Sequence, residues 1–261
     1  MDKNTLSLIL DDLVKAVGPY NKIIVIGGGY APLVYRHFLS NEKQLPEPAA
    51  TLDIDLLIPR KVKVLNDTNS NLGVRLQKSG FKIQRRTLGT PPVESYFKTI
   101  VNLEIEVEFL TDRKSRDQEK VFEIEGVAAQ TLSFLEMSLN EAVEFETSSG
   151  APLQVVTPGA WIFHKILTFD RRQNPVKSFK DLYGIWYVGN SLKDISTQSL
   201  LDLSRLARHH KARAKVARKS FSAFTVTSTP EKWLILEKQD PEGRLTKTRF
   251  LDFSERVLNI L

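Results

Sequence analysis

The stretch "VIGGGYAPLVYRHFLSNEKQLPEPAATLDIDLLIP", residues 25–59, governs how the rest of the chain is read. A β-rich run, "KIIVI" at 22–26, leads into Gly27, Gly28 and Gly29, and "YAPLVYRHFL" follows with helical character, Pro32 falling in its first turn. Beyond the turn-rich "SNEKQLPEPAA" at 40–50, a second apolar run carries Asp53 and Asp55. Side chains at i and i+2 of a strand share a face, so the two carboxylates converge while Ile54 points into the core. Two adjacent carboxylates repel and favour a cation between them. Mg2+ suits such a site, because it takes carboxylate and phosphate oxygens and keeps some waters. Taken alone, D-x-D on a strand more often lines a solvated edge. The glycine turn shifts the balance, since its backbone N–H groups are suited to phosphate oxygens.

Outward from this stretch, helix period marks residues 6–17 and a helix is expected near 68–79. Strands are predicted at "FKIQRR", 81–86, at "SYFKTIV", 95–101, and at "LEIEVEFLT", 103–111, whose strict alternation puts Glu104, Glu106 and Glu108 on one face. A third carboxylate can thus join the aspartate pair from a neighbouring strand. The pattern predicts an α+β fold with a small mixed, mostly antiparallel sheet. A dinucleotide-binding G-x-G-x-x-G is excluded, because its third glycine would fall at Pro32.

From Thr157 the character becomes helical. "TPGAWIFHKILTFDRR" has Thr157 at the N-cap and Pro158 at N1, "SFKDLYGIWYVGN" ends near Gly189–Asn190, and helical pattern continues through 194–221 and again over "TRFLDFSERVLNIL". Two domains follow, 1–150 and 151–261. Their formal charges are −3 and +9, within a chain of 261 residues, net charge +6 and pI near 9.4. With 41% hydrophobic residues the chain can bury a sizeable core. Cys is absent, which removes thiolate metal sites and Cys nucleophiles. No apolar run reaches the roughly 20 residues that span a bilayer, and acidic residues interrupt the N-terminal apolar segment, so a cytoplasmic protein is expected.

"GGGYA" followed by "TLDIDLL" resembles the hGG(x)A … T-x-D-x-D pattern of the nucleotidyltransferase superfamily that shares the DNA polymerase β fold. The later "HKILTFDRRQNPVKSFKDLYGIW" is similar to the helical signature of its bacterial abortive-infection (AbiE) toxin branch and related uncharacterised branches. The resemblance implies that Gly28, Gly29 and Thr51 bind the nucleotide, and that Asp53 and Asp55 bind Mg2+. It also implies a third carboxylate within "EFLTD", namely Glu108, with Glu106 as the alternative. Lys165 and Arg172 match residues that face the phosphates or support the site, and Lys180 and Asp181 match the family's K-D pair. Lys165 and Arg172 are seven residues apart, on one helix face if that helix runs far enough. The implied reaction transfers a nucleotide from an NTP to a hydroxyl acceptor, with tRNA or another nucleic acid favoured, and the branch implies a toxin with a cognate antitoxin. The alternative is a nucleic-acid-binding or regulatory protein that kept the fold and lost the reaction. Departures from the pattern are Gly28 where Ser is frequent, Gly184 where a further Asp is frequent, and the long gap before Asp53.

His164 invites a general-base reading, but a His beside Trp161 and Phe163 is more often packed. The run "RLARHHKARAKVARKSF" offers Arg208, Lys211, Arg213, Lys215, Arg218 and Lys219 without an acidic residue, which suits a phosphate backbone or simply a solvated helix face. Little aromatic interleaving accompanies it, so base stacking has no support.

Overall fold

The structure is a computed structural model that describes residues 1–42, 45–49, 51–62, 70–88 and 91–261. Two compact units emerge, one made of Met1–Val34 with Ala50–Val156, the other of Tyr35–Ala49 with Thr157–Leu261.

The first unit is built, among the described residues, on a nine-stranded sheet. It opens with α1 (Lys3–Val17), whose N-cap Asp2 accepts the Thr5 amide and whose Leu6, Ile9, Leu10 and Leu13 form a buried stripe at helical spacing. Then follow β1 (Val25–Ile26), α2 (Ala31–Val34), β2 (Asp53–Leu57), α3 (Leu72–Lys78), β3 (Lys82–Arg85), β4 (Glu94–Ile100) and β5 (Leu103–Asp112). β6 (Val121–Ile124), β7 (Val127–Leu132), α4 (Leu135–Asn140), β8 (Ala142–Glu146) and β9 (Pro152–Val156) complete the unit. The strands run in the order β3-β4-β5-β2-β1-β9-β8, with β7 pairing β5 and β6 pairing β7. Five pairings are antiparallel, and β1 with β9, β2 with β5 and β5 with β7 are parallel. This is the mixed, mostly antiparallel α+β fold that the alternation predicts.

β5 decides the two faces of the sheet. Ile105, Val107 and Phe109 are fully buried on one face, where Tyr96 of β4 meets Phe109 edge-on at 5.5 Å and Lys98 of β4 reaches Asp12 of α1 at 2.7 Å. Glu106 and Glu108 therefore project from the opposite face, because strand side chains alternate.

The second unit contains α5 (Pro158–Thr168), α6 (Pro175–Trp186), α7 (Lys193–His209), α8 (Lys211–Thr227), α9 (Pro230–Glu237) and α10 (Lys247–Ile260). α5 is buried along nearly its whole length and packs on α6, α7 and α8. An aromatic cluster in which Phe224 meets Phe169, Phe179, Trp233 and Phe250 joins α6, α8, α9 and α10. Among the described residues no helix is long and apolar enough to cross a membrane.

Several elements differ from expectation. The helix after the glycines has only one α turn and continues as a π turn over Tyr35–Leu39. Residues 68 and 69 of the helix expected over 68–79 lie outside the described residues. The helical run from 194 onward breaks at His210, whose φ of −111° and ψ of 52° leave the helical region. Its apolar positions stay in phase across the break, so periodicity gives no sign of it. α5 stops at Thr168, and Arg172 has extended backbone after a 3-10 turn, so Lys165 and Arg172 do not share a helix face.

Candidate active site

The parallel register of β2 on β5 opposes Asp53 to Glu106 and Asp55 to Glu108. Register partners on parallel strands point to the same face, so four carboxylates form a two-by-two array on the face opposite the Phe109 core. Asp53 is exposed, while Asp55, Glu106 and Glu108 are half-buried.

The glycine turn lies directly against this array. Gly28 has φ +53°, and a Cβ built there would lie 1.6 Å from Asp55 Oδ2, so only glycine fits. The Gly27 amide donates to the Asp55 carbonyl at 2.8 Å, which ties the turn to β2. Gly29 stands against Thr51, whose Oγ1 accepts the Asp53 amide at 3.4 Å. Tyr30 is buried behind the turn; burial and then the Asp53 charge push its hydroxyl above the ordinary tyrosine range.

Glu106 and Glu108 have different surroundings. Burial first and the Asp55 charge second push the Glu108 carboxyl above its ordinary range, while a hydrogen bond from Ser95 Oγ at 3.1 Å opposes the shift. Glu106 forms an ion pair with Arg86, just past the end of β3, whose guanidinium lies 5.9 Å from the Phe97 ring. Arg86 and Ser95 were missed by sequence reasoning. Antiparallel pairing of β4 with β5 places Ser95 beside Glu108, and a strand order cannot be read from spacing alone.

The donor set is hard oxygen throughout, which fits Mg2+ rather than a softer ion. The raised Glu108 carboxyl is the strain that a cation between Asp55 and Glu108 would relieve. Among the described residues, no group of three or more carboxylate or imidazole side chains is drawn closely enough together to hold a metal ion.

The remaining sequence candidates lie in the helical unit. Lys165 donates to Asp181 Oδ1 at 2.6 Å and the half-buried Arg172 through Nε to Asp181 Oδ2 at 2.8 Å, and the buried Lys165 also stands 5.4 Å from the Trp161 ring. Burial alone would raise the Asp181 carboxyl, but the charges of Lys165 and Arg172 outweigh it and hold the group below its ordinary range. Lys180 is half-buried on α6, and His164 is buried on α5. Arg208, Lys211, Lys215, Arg218 and Lys219 are exposed on α7 and α8, and Arg213 is half-buried.

A glycine turn beside paired strand carboxylates is an arrangement whose backbone amides and hard oxygens are chemically suited to phosphate esters. The sequence model of a nucleotidyltransferase family matches residues 8–205, and the chain belongs to that family. The chain is also similar to a crystal structure of an antigenic nucleotidyltransferase-like protein from Paracoccidioides brasiliensis. That likeness has 15% identity and a TM-score of 0.39, and covers 83% of this chain and 94% of the other, too distant to carry an argument. No curated protein shows significant similarity to the chain.

Proposed function

We propose that the sheet unit binds a Mg2+–NTP complex and transfers its nucleoside monophosphate to a hydroxyl acceptor. The observation that carries this reading is the register of Asp53 and Asp55 against Glu106 and Glu108, beside the glycine turn. Asp53 and Asp55 would hold the ion, and Glu108, the register partner of Asp55, stands beside them as the third carboxylate. When bound, Mg2+ neutralises charge that develops on the triphosphate. Backbone amides of the Gly28–Gly29 turn receive phosphate oxygens. Glu108, raised by burial and by Asp55, takes the proton of the attacking hydroxyl at the carboxylate oxygen that Ser95 does not hold. The new bond joins the acceptor oxygen to the α-phosphorus as the bond to the β-phosphate oxygen breaks, and pyrophosphate leaves.

Nucleic acid is the proposed acceptor, supported by the exposed cations of α7 and α8. The toxin role and a cognate antitoxin rest on the "HKIL" and "KDL" resemblance alone. A second reading, a nucleic-acid-binding protein without turnover, draws on the Arg86–Glu106 pair, which already neutralises one of the four carboxylates.

The test incubates the full chain with each labelled NTP, Mg2+ and total RNA, beside Asp53→Ala. Label transfer and pyrophosphate release that vanish in the variant support the reaction. RNA binding that persists in both proteins, with no NTP consumed, supports the second reading.

A further inference from the structure

We propose that the helical unit carries its own binding site for an organic phosphate monoester of about mononucleotide size. An open cleft of about 670 Å³ is lined wholly by residues of that unit, a volume in the range of small-ligand sites. Arg36, Lys193, Arg244 and Arg249 line it, against the carboxylates Glu42 and Glu242. Arg36 pairs with Glu47 and Arg244 with Asp240 and Glu242, whereas Lys193 and Arg249 form no ion pair among the described residues, and these two cations suit a phosphate monoester, which carries roughly 1.5 to 2 negative charges at neutral pH.

Two of the guanidiniums are held in place before any ligand arrives. Arg36 donates through Nε and Nη2 to the Leu45 carbonyl at 3.2 and 2.9 Å, and Glu47 contacts its Nη1 at 2.5 Å. Arg244 Nη2 donates to Asp240 Oδ1 at 3.0 Å. The Asp240 side chain is fully buried and is fixed in turn by the Arg244 and Leu245 amides, at 2.6 and 2.8 Å, and by the Tyr183 hydroxyl at 3.2 Å. Arg36 and Arg244 thus frame the site with their own partners, and contact with phosphate oxygens falls to Lys193 and Arg249. Lys193 and Arg249 stand in the first turns of α7 and α10, where the helix dipole adds positive potential.

The rest of the lining identifies the ligand's other half. Leu45, Pro46 and Trp186 are apolar, and the Arg244 guanidinium lies 5.8 Å from the Trp186 ring. With Asn190 and Ser191 beside them, cations and apolar side chains together suit a phosphate joined to an organic body, not a bare ion.

The test is calorimetric titration of the full chain without Mg2+, in an Asp53→Asn/Asp55→Asn background, so that failure of the catalytic reading leaves the result intact. The probes are adenosine monophosphate, inorganic phosphate, and a ribodinucleotide with either a 5′-phosphate or a 5′-hydroxyl. Adenosine monophosphate is expected to bind, and Lys193→Ala/Arg249→Ala, both exposed positions, to weaken it by about tenfold or more with an unchanged melting temperature. Binding of the 5′-phosphorylated dinucleotide as well assigns the site to a nucleic-acid end; binding of the mononucleotide alone assigns it to a free nucleotide. An affinity unchanged by the double substitution, or inorganic phosphate or the 5′-hydroxyl form binding as tightly, would overturn the proposal.

Discussion

Asp55 and Glu108 are register partners on parallel neighbouring strands, and the Glu108 carboxyl is raised above its ordinary range by burial and then by the Asp55 charge. Like charges placed side by side in a half-buried setting cost stability, which is characteristic of sites built to receive a cation.

Glu108→Gln should therefore separate stability from function. A carboxyl raised in the fold contributes stability that is present below its ordinary value of 4.5 and lost as pH rises through the higher folded value. The variant is expected to match wild type in acid and to exceed its melting temperature above that window, while turnover falls. Melting curves across the pH range check the first statement and pyrophosphate release the second.

The two glutamates should not be equivalent. Arg86 already neutralises Glu106, whereas Glu108 shares its charge crowding with Asp55. Glu108→Gln is expected to lower turnover by about 100-fold or more, the range for a lost general base, and Glu106→Gln by less than about tenfold. Steady-state rates on the same NTP and acceptor decide between them.

Gly28→Ala forces a methyl group onto Asp55 at a left-handed backbone position. The conformation alone costs roughly 1–2 kcal/mol for a residue with a side chain. Gly150, at φ +76° with open space within 4 Å of where a methyl would stand, isolates that backbone cost. Gly150→Ala should lower the melting temperature and leave Mg2+-dependent NTP binding intact; Gly28→Ala should lower the temperature further and abolish binding.

Asp181→Ala leaves the buried Lys165 without its carboxylate, and loss of one partner from a buried pair costs about 3–5 kcal/mol. The Asp181 carboxyl is depressed in the fold, so its contribution is present above the ordinary value of 3.8 and disappears as pH falls through the lower folded value. Urea midpoints measured down the acid range should fall for wild type and show a flatter dependence for Asp181→Asn.

The shared faces of the candidate site were legible because strand period fixes which side chains lie together. "DID" and "EIEVE" each declare their acidic face, and the glycine triplet declares a turn that tolerates positive φ. What spacing does not contain is strand order and direction. Only the parallel pairing of β2 with β5 tells which glutamate stands beside which aspartate, and only the β4 neighbour brings in Ser95. The strands β6 to β9 and the helices α4 and α9 also went unread, although they are about as long as β2, β3 and α3. Arg172 shows the opposite case, reaching Asp181 from extended chain although the helix expected to carry it stops at Thr168.

We propose that the glycine turn and the carboxylate array act as one metal-dependent nucleotide site. The most direct measurement is calorimetric titration of each NTP into the full chain with and without Mg2+, beside Asp53→Ala/Asp55→Ala. At least one NTP is expected to bind only when Mg2+ and both aspartates are present. Equal binding in the double variant, or no Mg2+-dependent binding of any NTP, would contradict it.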